Sequence, residues 1–363
     1  MAGENMYERK KTKIIRIGNV AIGGGNPITI QSMNNTRTSD VEATLAQIRR
    51  LAEAGCDITR VAVPDMESAK ALKRITALSP IPVVADIHYD YRLALESIRS
   101  NAAKIRINPG NIGDSDKIKA VADAARSAGI PIRVGVNSGS VNRDYLAQYG
   151  STDGRAMTES ALDAIAALET AGFYDIVVSV KSSDPLLTIK VYRQLAERTE
   201  YPLHLGVTEA GKPGEGAIRS AVGIGALLSE GIGDTIRVSL TGDPVLEADC
   251  AMSILKALKL RQSGAEIISC PTCGRTSVDL IRIAEEAAIR FRHIRTPIKI
   301  AIMGCPVNGP GEARDADIGI AGGKGEFLLF AKGKIIRKIP EETALDELEA
   351  AVNDYLDELG KEN

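Results

Sequence analysis

Between about residues 27 and 242 the pattern of apolar and polar positions changes period repeatedly, always in one order. A short β-branched run gives way to a polar loop. The loop leads into apolar positions three or four apart. Such runs predict buried strands, and the wider spacing predicts helices packed against them. Eight strands are expected: Pro27–Ser32, Ile58–Val63, Pro82–Ile87, Lys104–Asn108, Pro131–Val136, Asp175–Val180, Pro202–Val207 and Thr235–Leu240. Strands alternating with helices imply right-handed crossovers and a parallel sheet. Eight units at near-regular spacing fit a closed barrel better than an open sheet. The expected fold class is therefore α/β, a (β/α)8 TIM-type barrel.

The intervening helices carry start and stop signals. Ser39-Asp40-Val41-Glu42 reads as a capping box ahead of Val41, Leu45, Ile48 and Leu51, with Gly55 as the stop. Further helices are expected over Asp114–Ala128, Ser160–Thr170, Gly216–Leu228 and Asp243–Leu260. An insertion over Val141–Ala156 leaves room for a helix or a lid at the barrel mouth. Past residue 262 the rhythm changes. Strands are expected at Gly264–Cys270 and Ile298–Ile302, a helix at Thr276–Ile294 and a hairpin of Phe327–Ala331 with Lys334–Ile339. An amphipathic acidic helix closes the chain at Glu341–Leu359. The division expected is a barrel over residues 1–262 and a small α+β domain over 263–363.

Composition narrows the class of function. The 363 residues are 44% hydrophobic and 25% charged, which suits a chain with a large core. A net charge of −2, no Trp and 4% aromatic residues argue against nucleic acid or a membrane surface as partner. No apolar run of about 18 residues exists to span a bilayer. The first residues, Met1 to Lys13, have no signal-peptide core. Five cysteines, three of them clustered, suggest a reducing cytoplasm rather than a disulfide framework.

The chemistry of a TIM-type barrel lies at the C-terminal ends of its strands. Those ends present Arg60, Asp86 with His88, Arg106 with Asn108, Arg133 with Asn137, Lys181, Glu209, and Arg237 with Ser239. By the two-residue alternation of a strand, Arg106 and Asn108 share one face, as do Arg133, Gly135 and Asn137. Arginines at mid-strand are costly to bury unless each meets an anion. Pairing with Asp or Glu across the barrel would serve for any one of them. For the set as a whole, a polyanionic ligand such as phosphate or diphosphate is expected. Glu209, and Asp86 with His88, are the candidates for proton transfer. His204, Cys56 and Cys250 read as core residues.

The remaining chemistry lies between Cys270 and Glu312. Cys270-Pro-Thr-Cys273-Gly opens this stretch, and Gly304-Cys305-Pro-Val-Asn-Gly-Pro-Gly-Glu312 closes it. Two thiolates from one C-x-x-C turn and a distant Cys-Pro match the ligand pattern of iron–sulfur sites. Structural zinc and a redox dithiol are the rivals. Zinc would need a fourth ligand, for which His293 is the nearby candidate. Three thiolates leave one cluster position to an oxygen ligand or to a substrate.

Taken together, these motifs resemble the bacterial 4-hydroxy-3-methylbut-2-enyl diphosphate synthases of two-domain form. The resemblance rests on Gln31-Ser-Met33, Lys104-Ile-Arg-Ile-Asn-Pro-Gly-Asn111, Gly135-Val-Asn-Ser-Gly-Ser140, Val207-Thr-Glu-Ala-Gly211 and the two cysteine motifs. It covers nearly the whole chain. It implies a two-electron reductive ring opening of 2-C-methyl-D-erythritol 2,4-cyclodiphosphate in the non-mevalonate isoprenoid route. It also implies one 4Fe-4S cluster per chain, held by Cys270, Cys273, Cys305 and Glu312. Diphosphate binding falls to Arg106, Arg133, Asn137, Lys181 and Ser239, and acid catalysis to Glu209. The implied partners are reduced flavodoxin or ferredoxin and a second copy of the chain, with the barrel of one facing the cluster domain of the other. The alternative from another class is a non-redox barrel enzyme with a zinc-stapled domain.

Overall fold

The structure is a computed structural model that describes residues 8–151, 153–262, 264–306, 311 and 313–362. The chain divides into two compact units, Met1–Arg261 and Gln262–Asn363.

The first unit opens with a hairpin that the periodicity did not announce, β1 (Ile15–Ile17) and β2 (Val20–Ile22). Its turn passes through Gly18 at φ +57°, a left-handed conformation that glycine adopts without steric cost. Three-residue strands are too short to show a period, which is why they escape a pattern search. Ile15, Ile17 and Ile22 pack against Ile58, Val84 and Val177. Those three begin the inward-facing rows of their barrel strands, so the hairpin seals the N-terminal end of the barrel.

Eight parallel strands follow: β3 (Thr29–Met33), β4 (Ile58–Ala62), β5 (Val83–Asp86), β6 (Lys104–Ile107), β7 (Ile132–Asn137), β8 (Ile176–Lys181), β9 (His204–Leu205) and β10 (Thr235–Ile236). Each pairs with the next in chain order as far as β8. β10 lies between β9 and β3, and a bridge from Val178 to Leu203 joins β8 to the strand region of β9. The nearly closed parallel barrel is the architecture expected. Its outward rows, Ile105 and Ile107 on β6 and Ile132, Val134 and Val136 on β7, are buried under the helices. Each such aliphatic side chain contributes about 1.5–3 kcal/mol. Its inward rows are where the polar residues lie.

Several boundaries differ from expectation. β9 and β10 are two residues long rather than six. The Arg237 N–H still donates to the Leu205 carbonyl at 2.9 Å, but by Leu240 the backbone has turned to a side chain, its N–H donating to Glu247 Oε1 at 3.0 Å. The first barrel helix, Val41–Glu53, is capped by Asp40, not Ser39. The Asp40 carboxylate accepts the Ala43 N–H at 3.1 Å and satisfies a donor that the helix leaves open. The insertion after β7 holds a helix, Arg143–Tyr149, and the next helix begins at Arg155.

The second unit is a five-stranded sheet in chain order: β11 (Ala265–Ser269), β12 (Ile298–Met303), β13 (Ile318–Gly322), β14 (Glu326–Ala331) and β15 (Lys334–Pro340). The first three are parallel and the last two antiparallel. β13 was not expected, because Ile-Gly-Ile-Ala-Gly is short and rich in glycine. The structure gives the reason for that composition: a Cβ on Gly319 would lie 2.5 Å from the Phe330 ring and 2.7 Å from the Ala301 methyl. The hairpin turns at Lys332 and Gly333, as expected. The helix Leu280–Arg290, starting at its Asp279 cap, is shorter than the expected Thr276–Ile294 because residues 276 and 277 bond to the cysteine loops. Among the described residues no helix is long and apolar enough to cross a membrane.

Candidate functional site

The inward rows of the barrel gather charge. Lys104 and Arg106 on β6, Arg133 on β7, Lys181 on β8, Arg60 on β4 and Asp86 on β5 are all buried. The alternation that sends Ile105 and Ile107 outward sends Lys104 and Arg106 inward. Register then sets the neighbours: Asp86 lies beside Arg106, and Arg106 beside Arg133.

Part of this cluster is paired internally. Asp86 Oδ1 accepts from Arg106 at 3.1 Å, and its Oδ2 lies 3.6 Å from Arg60 Nε. Arg237 reaches Glu247 with two N–H groups, at 2.9 and 3.2 Å, and donates to the Ser239 hydroxyl at 2.7 Å. Glu247 also accepts from Ser32 at 2.8 Å. Arg133 is 1% exposed, and its one hydrogen-bond partner among the described residues is neutral, the Gln31 carbonyl oxygen at 3.3 Å. Lys181 lies against β9, where a Cβ on Gly206 would come within 2.8 Å of its Nζ. Among the described residues six basic side chains thus share the interior with two carboxylates, Asp86 and Glu247. Opposite-charge pairing within the barrel accounts for Arg60, Arg106 and Arg237 but leaves an excess of positive charge.

The electrostatics follow from this crowding. Burial alone would raise the Asp86 carboxyl, but Arg60, Arg106 and Arg133 overcome it and hold the group at about 2. Asp86 is therefore ionised at neutral pH, a role that suits a counter-ion rather than a proton donor. Burial, followed by the neighbouring cations, pulls Lys181, Lys104 and Arg133 well below their ordinary values. Burial, then Arg133 and Lys181, does the same to His204, which is neutral.

A carboxyl depressed in the fold stabilises it fully above its unfolded value of 3.8, and that contribution is lost as pH falls through about 2. The shift corresponds to about 2 kcal/mol. Asp86→Asn at pH 7 leaves buried guanidiniums unpaired and is expected to cost about 3–5 kcal/mol in urea unfolding. A variant within 1 kcal/mol of the parent, at about that precision, would show that the pair is dispensable.

The remaining barrel residues take distinct places. His88 is more than half exposed, with Nε2 at 4.0 Å from Asp86. Glu209 is exposed, and its φ of +52° lies in the left-handed region. A non-glycine residue held there is strained, and such residues are enriched at functional sites. Asn137 stands exposed at the end of β7, beside Lys181 in register. Asn108 is buried, and its side-chain oxygen caps the turn Pro109–Ile112 through the Gly110 N–H at 3.2 Å. A pocket of about 460 Å³ opens beyond it, lined by Asn111, Ser140, Asn142, Ser160 and Asp163 among others. Its polar lining is neutral apart from that one carboxylate, so the place for an anion is on the cationic side of Asn108.

Sequence reasoning missed several contributors. Glu247, the counter-ion of Arg237, comes from a helix, Pro244–Ala257, that reads as ordinary. The available signal was a carboxylate on the same helical face as Ala248, Ala251 and Leu255. Gly135 was placed on the inward face, but its purpose is steric: a Cβ there would lie 2.3 Å from Arg106 Nε. Gly135→Ala is expected to displace the Arg106 guanidinium and raise the substrate KM about tenfold, the effect of a lost charged hydrogen bond. An unchanged KM would mean that Arg106 has room to move.

In the second unit the cysteine loops leave neighbouring parallel strands at the same end of the sheet. Cys270 follows β11 and Cys305 follows β12. The Gly304 N–H donates to the Cys270 sulfur at 3.3 Å, so the two loops touch. The Ser277 N–H donates to the Gly304 carbonyl, and a Cβ on Gly304 would press on Thr276 at 2.9 Å. Cys305 is buried, Cys270 half-buried and Cys273 exposed. The Arg275 backbone N–H, and then its side chain, lower the Cys273 thiol. Donors aimed at sulfur favour thiolates, the form in which cysteine binds metal. Among the described residues no group of three His, Cys, Asp or Glu side chains is placed to hold a metal ion. Glu312 lies outside the described residues. His293 is exposed and sits past the far end of the helix Leu280–Arg290, about 20 Å along it at 1.5 Å per residue. It does not serve as a fourth ligand beside these cysteines.

Two family models match the chain. The one described as the GcpE TIM-barrel domain matches residues 12–252, and the one described as the GcpE protein C-terminal domain matches residues 266–354. A 4-hydroxy-3-methylbut-2-en-1-yl diphosphate synthase (flavodoxin) of Caldanaerobacter subterraneus subsp. tengcongensis is 57% identical over 340 residues, 94% of this chain and 96% of that protein. Its namesake from Ruminiclostridium cellulolyticum is 56% identical over 345 residues, 95% and 98%. Among solved structures, a dihydropteroate synthase from Xanthomonas albilineans aligns with a TM-score of 0.49 at 17% identity, over 68% of this chain and 98% of that one.

Proposed function

The chain belongs to the GcpE family, and from that premise we propose how its residues divide the family's reaction between them. The reaction is the reductive opening of 2-C-methyl-D-erythritol 2,4-cyclodiphosphate to 4-hydroxy-3-methylbut-2-enyl diphosphate. The cyclic dianion takes up two electrons and one proton. A ring C–O bond and a carbon–hydroxyl bond break, a carbon–carbon double bond forms, water leaves, and a linear diphosphate remains. The observation that carries the assignment of the binding site is the excess of buried cations in the barrel, above all Arg133, whose only hydrogen-bond partner among the described residues is neutral. A buried guanidinium without a carboxylate is costly unless an anion arrives to meet it.

Arg106, Arg133 and Lys181 bind the diphosphate, with Arg60, Arg237, Ser239, Asn108 and Asn137 completing the rim. Asp86 and Glu247 hold Arg106 and Arg237 in place before the ligand arrives, so little reorganisation is needed as charge develops on the departing phosphate. Glu209 donates the proton that carries the hydroxyl away as water. His88, exposed at the mouth beside Asp86, is a second group able to carry a proton there.

Cys270, Cys273, Cys305 and Glu312 hold the 4Fe-4S cluster. Three soft thiolates, contacted by backbone N–H groups, suit iron–sulfur ligation. A carboxylate in the fourth position binds iron more weakly and leaves that position open to exchange. The cluster supplies electrons one at a time, received from a reduced flavodoxin; ferredoxin is the other candidate donor. The working form is a homodimer in the cytoplasm, in which the barrel of one copy is served by the cluster domain of the other.

Arg133→Met tests the binding assignment. It is expected to raise the KM for the cyclodiphosphate at least tenfold, by about 1.5–3 kcal/mol, with the visible absorbance of the cluster unchanged. A KM within twofold of the parent would return Arg133 to a purely structural role.

A further inference from the structure

Beneath the residues assigned to the diphosphate lies a second buried layer that the reaction as described does not use. Lys104 is 0% exposed, and among the described residues its Nζ has no hydrogen-bond partner. Five other buried polar atoms share this condition in the same inward rows: Thr29 Oγ1, Gln31 Nε2, Arg60 Nε, Arg133 Nε and His204 Nε2. The hairpin β1–β2 closes the space from below with Ile15, Ile17 and Ile22. Above it stand Arg133 and Arg60.

Arg133 from β7 and Arg60 from β4 act on Lys104, and both repel a charge there. His204 from β9 is neutral and bonds Thr235 through Nδ1 at 3.3 Å. Asp86 from β5 is engaged with Arg106 and Arg60. Gln31 from β3 is engaged through its oxygen with Arg133. Among the described residues no carboxylate bonds to Lys104.

The proposed reaction changes the charge above this layer. A cyclic diphosphate has one ionisable oxygen on each phosphorus and carries two negative charges. The linear diphosphate produced from it carries up to three. We propose that Lys104 is a charge-compensating residue: uncharged while the cyclic dianion is bound, it takes up one proton when a linear diphosphate trianion occupies the barrel. It touches neither ligand and acts through Arg133 and Arg60, as a positioning residue. The balance is one proton from solvent onto the Lys104 amine for one negative charge gained by the ligand. Burial favours the neutral amine, and an added anion nearby favours the ammonium. This inference rests on the diphosphate reading of the barrel.

The test uses the anaerobically purified holoenzyme without reductant, so that no turnover occurs. Inorganic pyrophosphate serves as the linear trianion and the cyclodiphosphate as the dianion. Each is titrated calorimetrically at pH 8 in buffers of low and high ionisation enthalpy, which reads the protons taken up. The wild type is expected to take up about one proton more with pyrophosphate than with the cyclic ligand, as linkage requires. Lys104→Met is expected to abolish the difference and weaken pyrophosphate about tenfold, with cyclic-ligand binding within twofold. Equal uptake for the two ligands in the wild type overturns the proposal, and that comparison needs no variant to fold. Full uptake retained in Lys104→Met also overturns it. Failure of both ligands to bind overturns the diphosphate reading itself, and this inference with it; tight binding of both with equal uptake removes the inference alone.

Discussion

Cys305→Ala is expected to yield a protein that folds but holds less than the full complement of iron and turns over at least about a thousandfold more slowly. The expectation follows from the geometry of the two loops. Cys305 is the buried cysteine of the three, one residue after the Gly304 N–H that contacts the Cys270 sulfur. Its loss removes one of three thiolates, and ligand loss of this kind acts on the metal rather than on the sheet beneath it. The core of the second unit, built from Ile300, Ile302, Ile320, Phe327 and Leu348, does not include Cys305. Circular dichroism should therefore match the parent while the visible absorbance is diminished. Full iron content and near-normal turnover in this variant would remove Cys305 from the ligand set.

Glu209→Gln is the second large effect expected. The substitution keeps size and hydrogen-bonding capacity but removes the proton. General acid catalysis is worth about 10²–10⁴ in rate, so kcat should fall by that factor. The KM should stay within about threefold, because Glu209 is exposed at the strand end and stands apart from the cationic interior. The left-handed backbone at Glu209 makes a companion variant informative. Glu209→Gly relieves any strain and should be as slow as Glu209→Gln, if the carboxyl is what matters. A kcat restored by glycine would assign the residue a conformational role instead.

The strands of the barrel were legible because parallel strands buried on both faces write continuous β-branched runs. Arg106 and Arg133 stood out against those runs for the same reason. What the sequence could not show is which anion each cation meets. Arg237 finds Glu247 on a following helix, and Arg106 finds Asp86 on the neighbouring strand. Both pairings depend on barrel closure and register, which no local pattern encodes. Gly135 illustrates a different limit. Its place on the inward face follows from alternation, yet its purpose appears only when the Arg106 guanidinium is seen lying over it. The hairpin β1–β2 and the strand β13 were hidden by brevity, three and five residues with glycine beside or within them. In the second unit the cysteine spacing pointed to iron–sulfur ligation, with zinc and a redox dithiol as rivals. The contact between the two loops needed β11 and β12 to be neighbours.

This chain opens a cyclic diphosphate by two-electron reduction, and one anaerobic assay with a counted reductant reads that reaction. The anaerobically purified protein is mixed with 2-C-methyl-D-erythritol 2,4-cyclodiphosphate and a counted amount of a one-electron chemical reductant, and followed by phosphorus NMR. The cyclic phosphorus signals should give way to those of a terminal diphosphate in proportion to the electrons supplied, one product for every two. Cyclodiphosphate left intact by an iron-replete protein given two or more electrons per ligand would refute the reaction.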